Sequence, residues 1–193
     1  MNHMLHDNVC LKYRIDADNR LVYLDEHWHE FANENKAEGL TPEVVLNRSL
    51  LDFIDGSSIR NITEQVLDKV RARHGSVHLP FRCDSPDKRR YMQLLITPLE
   101  DGAVEFNSCL LREVKRDKVA LLDSDAGRSD KFVTICSWCN KVQVSQVDWM
   151  ELEDAIHILQ LFSSDIQPQL THGICPACYE KIRGELKNQL PVR

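Results

Sequence analysis

The sequence predicts an α+β fold: an antiparallel sheet with helices on one side, followed by a small four-cysteine module. Three observations predict it. Apolar alternation marks two strands near the N-terminus and three more after residue 76, with only helical patterns between the two groups. No helix separates the later strands, and a parallel βαβ arrangement would require one. Near the C-terminus stand two Cys-x-x-Cys pairs, Cys136/Cys139 and Cys175/Cys178, with 35 residues between Cys139 and Cys175.

In Leu11–Asp16 the residues Leu11, Tyr13 and Ile15 alternate with polar ones, as in a half-buried strand. Asp18 and Asn19 supply a turn, because short Asx side chains bond nearby backbone and tolerate the left-handed conformation. Leu21–Leu24 is the return strand. From Asp25, a suitable N-cap, helical spacing places Trp28, Phe31 and Ala32 on one face. Gly39 to Pro42 interrupts this pattern. A short helical piece at Glu43–Leu46 and an apolar segment at Ser49–Ile54 follow.

An amphipathic helix is expected over Ile59–Arg73, with Ile59, Ile62, Val66, Leu67 and Val70 along one side. Gly75 is expected to close it in the left-handed conformation. Strands are then predicted around Val77–Phe81, at Tyr91–Thr97 and at Val104–Leu111, the last two joined through Glu100, Asp101 and Gly102. Residues 114–131 are charged and rich in small polar residues, which marks a linker, with 114–122 expected to extend as a helix.

The second part begins with a strand at Phe132–Ile135. Two cysteines separated by two residues let a tight turn aim both sulfurs at one ion, and Asn140 suits the left-handed position that follows. Val142 and Val144 mark a return strand. An inserted helix is read at about Asp148–Phe162, with Trp149, Leu152, Ile156 and Leu159 on one face. Pro176 fits the first position of a last helix over Ala177–Leu190, which puts Cys175 and Cys178 at a helix N-terminus where the dipole favours thiolates. Cys136, Cys139, Cys175 and Cys178 therefore offer four thiolates, enough for a closed tetrahedral zinc shell with no open position. Such a site is structural. Loss of Cys136 or Cys178 is expected to destabilise residues 132–193 and to leave the first part folded.

Composition narrows the function classes. The chain has 193 residues, 42% of them apolar, and a net charge of −6. The acidic balance holds in both parts, so neither carries the basic excess that phosphate-backbone binding requires. No run of 18 apolar residues is present, and Met1–Cys10, with His3, His6 and Asp7, does not read as a secretory signal. Seven cysteines without an export signal favour metal binding over a disulfide framework and imply a cytoplasmic setting.

Several motifs resemble the PAS sensor fold over roughly residues 9–113. The run Ile15-Asp16-Ala17-Asp18-Asn19-Arg20-Leu21-Val22-Tyr23, continued through Trp28, Phe31 and Ala32, resembles its opening hairpin and first helix. Arg48-Ser49-Leu50-Leu51-Asp52-Phe53-Ile54 is similar to the segment before its long connecting helix. Phe81-Arg82-Cys83-Asp84-Ser85-Pro86, with Arg89 and Arg90, resembles a variant found in bacterial PAS-like sensors. The resemblance implies a ligand or cofactor between sheet and helices, or a dimerisation and relay role.

No cofactor motif can be placed. Cys83 and Cys109 lie in the later strands, away from any flavin-adduct signature. His27 and His29 are haem-ligand candidates that read more simply as solvent-facing residues opposite Trp28 and Phe31. His74 and His78 read as a helix end and a strand surface. The cluster of Arg82, Lys88, Arg89 and Arg90 with Asp84 and Asp87 reads either as an anion site or as a hairpin tip with local ion pairs.

The knuckle followed by a ligand-bearing helix resembles a treble-clef zinc module. The whole tail, Ile135 to Val142, Trp149 to Glu153 and Leu170 to Lys181, is similar to a C-terminal element of bacterial signalling proteins that carry PAS or receiver modules. The domains expected are thus a PAS-like sensor at 9–113, a linker at 114–131 and a four-cysteine zinc module at 132–193. No kinase, cyclase, phosphodiesterase or helix-turn-helix motif is recognisable. The function expected is non-enzymatic, two-component-type signalling through a protein partner or self-association, with a small-molecule ligand and without nucleic acid or membrane. Two alternatives stand beside it: thiol-disulfide chemistry at the Cys-x-x-Cys pairs, and nucleic-acid binding through the zinc module. His172 is left either as a ligand in place of a cysteine or as a hydrogen-bond partner of the site.

Overall fold

A computed structural model describes residues 10–34, 36–161 and 166–191, with the side chain of Glu34 left aside. His3, His6, Asp7 and Phe162, named above, lie outside the described residues. The expected α+β class is found, as two sheets rather than one.

The first sheet is antiparallel, in the order β2-β1-β5-β4-β3. Strands β1 (Cys10–Ile15) and β2 (Leu21–Leu24) form the opening hairpin. Asn19 takes a φ of 62°, and the Asp16 carboxylate accepts hydrogen bonds from the amides of Asp18 and Arg20 at 3.0 and 2.8 Å. Asp25 ties the exit from β2 to β1: its carboxylate accepts from the amides of Lys12 at 2.7 Å and His27 at 3.1 Å. Three helical segments follow, α1 (Trp28–Glu34), α2 (Pro42–Val45) and a 3-10 turn at Leu50–Phe53. The long helix α3 (Ser57–Arg73) then leads to β3 (Val77–Arg82), β4 (Lys88–Pro98) and β5 (Val104–Lys115).

One face of this sheet meets α3. Ile15, Val77, Leu79, Ile96, Val104 and Phe106 bury against Ile62, Val66, Leu67 and Val70, each side chain contributing about 1.5–3 kcal/mol of transfer free energy. On the opposite face Leu111 stays exposed. The end of α3 differs from expectation: His74, not Gly75, takes the left-handed φ of 48°. A Cβ at position 75 would stand 2.6 Å from Leu190 Cδ2, so a larger residue there makes the Leu190 side chain shift.

Residues 114–122 are not helical. Strand β5 continues to Lys115, its alternation disguised by the charged residues after Leu111, and a 3-10 turn at Ala120–Leu122 buries Val119 and Leu121. The charged stretch is thereby anchored at both ends. Strand β6 (Gly127–Cys136) then enters a second sheet, ordered β8-β7-β6-β9, with β7 at Val142–Gln143 and β8 at Trp149–Met150. The inserted helix is shorter than its pattern suggests, α4 being Leu152–Ile158, because Trp149 and Met150 pair with β7. Strand β9 (Ile166–Gly173) has no counterpart in the sequence pattern. It runs parallel to β6 at the sheet edge, where Pro168 is tolerated.

The last helix, α5 (Pro176–Gln189), packs into the first core. Ile182, Leu186 and Leu190 bury among the residues of α3 and the five-stranded sheet. Gln189 fastens the edge strand, accepting from the His78 amide at 2.7 Å and donating to the His78 carbonyl at 3.0 Å. The core of the first sheet is therefore completed by residues far beyond 113.

Candidate metal centre

Cys136 ends β6, and its amide donates to the Lys141 carbonyl at 2.7 Å. Asn140, at a φ of 59°, donates its own amide to the Cys136 carbonyl at 2.9 Å and so closes the knuckle as its sequence position predicts. Cys175 is the N-cap of α5, Pro176 fills the first turn, and Cys178 follows on the first turn of the helix. The Cys175 sulfur accepts from the Cys178 amide, and the Cys136 sulfur accepts from the Cys175 amide, both at 3.4 Å.

The four sulfurs lie within 4.8 Å of one another, with Cys139 and Cys175 Sγ 3.8 Å apart. Four thiolates bound to one ion at the usual zinc–sulfur distance stand about 3.8 Å apart along each tetrahedral edge. The donor set fits a soft divalent ion, with all four positions filled by protein. Cys136, Cys175 and Cys178 are buried, and Trp138, Trp149 and Ile174 pack around them. Electrostatics point the same way. Hydrogen bonds from the thiols of Cys139 and Cys178, then from the Cys175 amide, hold the Cys136 thiol well below its ordinary value. Cys139 and Cys178, donors to Cys136, are pushed up. Four close sulfurs cannot all ionise without a cation among them, and metal binding displaces the protons they otherwise share.

His172 is not part of the cluster. It sits on β9 opposite Ile135, with its side chain exposed. Its backbone carbonyl meets the start of α3, where a Cβ on Gly56 would stand 2.5 Å from it. His29 is exposed as expected, whereas His27 is half-buried and lines a cavity with Phe31 and Met92. Cys83 is free, and burial pushes its thiol above the ordinary value, so it is not an activated nucleophile. The two remaining cysteines join: Cys10 and Cys109, directly opposite on β1 and β5, form a disulfide. Only the strand register brings them together, and sequence spacing carries no signal of it.

The basic cluster at the hairpin has its charges met from within the chain. Arg82 pairs with Asp84 and, at 2.7 Å, with Glu151; Arg89 reaches Glu153 at 2.8 Å. Arg116 bridges Asp84 at 3.1 Å and Glu153 at 3.3 Å. Lys88 and Arg90 pair with Glu113. These arginines fasten the first sheet to the start of α4, and the anion-site reading is set aside.

Two cavities open on the helix side of the first sheet. One, of about 520 Å³, has a mixed lining that includes Lys88, Arg90, Glu113 and Phe31. The other, of about 160 Å³, is almost wholly apolar and includes Trp138 of the knuckle and Ile182 of α5 in its wall. No helix among the described residues is long and apolar enough to cross a membrane. No protein-family model matches the chain, and no curated protein matches it.

Proposed function

We propose that this is a cytoplasmic signal-sensing or regulatory protein of bacterial two-component type, in which a PAS-like domain is coupled to a structural zinc module of treble-clef type. One observation carries the reading: the four cysteines form a complete thiolate shell on segments that also wall the helix side of the five-stranded sheet. A closed shell leaves no position for substrate and leaves the metal to hold the fold. Thiolate softness and the near-tetrahedral spacing favour zinc. The strand order β2-β1-β5-β4-β3, with its helices inserted between β2 and β3, supports the PAS-like part. The knuckle, its hairpin and the ligand-bearing α5 support the treble-clef part.

Output then runs through contact with a protein partner or a second copy, and the cavities beside α1 and α3 are the spaces for a small-molecule signal. The acidic balance, −6 overall, turns the module away from nucleic acid. The Cys10–Cys109 disulfide of the structure stands against the cytoplasmic part of this reading, because a reducing cytoplasm would keep the pair as thiols. Native mass spectrometry of the full chain, with its absorption spectrum, tests the reading. One zinc per chain together with a dimer mass or a retained ligand supports it. A metal-free chain whose Cys-x-x-Cys pairs cycle between dithiol and disulfide overturns it in favour of redox chemistry.

A further inference from the structure

The apolar cavity of about 160 Å³ lies between α3 and the first sheet, and its wall is assembled from both parts of the chain. Helix α3 contributes Ile62, Val66 and Leu67, and the sheet contributes Leu94 and Phe106. Among the described residues of the lining, Tyr13 and Thr63 supply the only hydroxyls and none carries a charged side chain. The Tyr13 ring stacks on Phe106 with centroids 4.7 Å apart, and burial pushes its phenol above the ordinary value, so it faces the cavity neutral. An engineered cavity of about 150 Å³ lined by Leu, Ile and Phe stays dry and binds benzene or xenon. A charged guest would lose its hydration here and gain no counter-charge.

The rest of the wall comes from the cysteine module. Trp138 lies between Cys136 and Cys139; its indole N–H donates to the Pro80 carbonyl at 2.8 Å, and its carbonyl accepts from the Arg82 amide at 2.9 Å. Ile182 lies one helical turn after Cys178 on α5 and is buried. Whatever orders the four sulfurs therefore also orders these two parts of the wall.

We propose that the cavity binds a small uncharged apolar molecule of about benzene size, and that its occupancy and metal binding at the four cysteines reinforce each other. The binding half deepens the small-molecule reading of this cavity given above, and the coupling half rests also on the structural-metal reading. Metal that fixes Trp138 and α5 prepares the wall for the guest, and linkage requires the guest to hold the metal more firmly in return.

The test uses the full metal-loaded chain with benzene as probe. Isothermal titration calorimetry is expected to give one saturable benzene site per chain and no binding of benzoate. Saturating benzene is expected to tighten metal binding, read by equilibrium competition with EDTA, by about fivefold or more. Val66→Phe, which fills the space from α3, is expected to abolish benzene binding while keeping one metal per chain. Absence of saturable benzene binding to the wild type overturns the site, and equal binding of benzoate overturns the ligand class. Benzene binding with unchanged metal affinity overturns the coupling alone. Val66→Phe that folds and still binds benzene puts the site elsewhere; if it fails to fold, the wild-type measurements decide. A chain that binds benzene but purifies without metal sinks the structural-metal reading and the coupling, and leaves the cavity assignment standing.

Discussion

Among the described residues, fifteen buried side chains form a continuous core beneath the five-stranded sheet, against six beneath the four-stranded one. The larger core includes Ile182, Leu186 and Leu190, which the chain supplies only after passing through the smaller sheet. The smaller core, built on Leu121, Ile135, Val142 and Leu152, lies beside a cluster of buried sulfurs. Six apolar side chains are few for independent stability, and a metal ion held by the four cysteines would supply the remainder. A small sheet can thus be stabilised at one point by a metal, and its ligand-bearing helix can serve a neighbouring core as well.

Removing a ligand is the strongest way to break this arrangement. A structural zinc site contributes on the order of 10 kcal/mol, comparable to the whole stability of a domain. Cys136→Ser or Cys178→Ser is expected to lose the metal and to unfold the second sheet. Because α5 is shared, the effect should reach further than the sequence alone suggests. Hydrogen exchange is expected to show lost protection in β6 and β9 together with weakened protection in α3 and β3. A first sheet with unchanged protection would mean that α5 is dispensable to it.

The polar seam between the sheets comes next. Asp84 has a fully buried side chain and holds both Arg82 and Arg116, whose side chains are 10% and 9% exposed. Asp84→Asn leaves two buried guanidinium groups short of a partner and is expected to destabilise by about 3 kcal/mol. The Arg89–Glu153 pair of the same network is more open, and Arg89→Ala is expected to change stability by less than about 1 kcal/mol. Chemical denaturation of the two variants measures the difference. Equal losses would show that burial does not set the strength of this seam.

What is legible in the sequence follows the range of the interactions. Cys136, Cys139, Cys175 and Cys178 announce themselves through local spacing, β1 through its alternation and α3 through its helical period. Strand β9 escapes a reading of the sequence because Pro168 and the polar Gln167, Gln169 and Thr171 obscure its alternation, which makes sense only once β6 lies beside it. The Cys10–Cys109 bond and the Arg82–Glu151 pair depend on register and docking, which no local pattern encodes. The same holds for α5: its apolar stripe is visible in the sequence, but its partner is not.

Gly56 tests the contact between the two parts at a smaller scale. It begins α3 at a φ of +92°, and an added Cβ would stand 2.5 Å from the His172 carbonyl oxygen. Gly56→Ala therefore meets both backbone strain and a clash with main chain that cannot rotate away, and is expected to destabilise by about 1–3 kcal/mol. The melting temperature should fall with metal content unchanged. An unaltered melting curve would mean that α3 and β9 part without loss.

His172 gives the smallest effect and the sharpest distinction. In sequence it stands three residues before Cys175, where a histidine ligand would make a site of three cysteines and one histidine. In the structure its ring is exposed while the four sulfurs lie within 4.8 Å of one another, so the position contributes through its backbone. His172→Ala is expected to keep one metal per chain and to change stability by less than about 0.5 kcal/mol, as for surface substitutions in general. Loss of metal from this variant, with the cysteines intact, would transfer a ligand role to the imidazole. Gly56→Ala strikes the carbonyl of the same residue, so the pair of variants separates what the backbone of His172 does from what its side chain does.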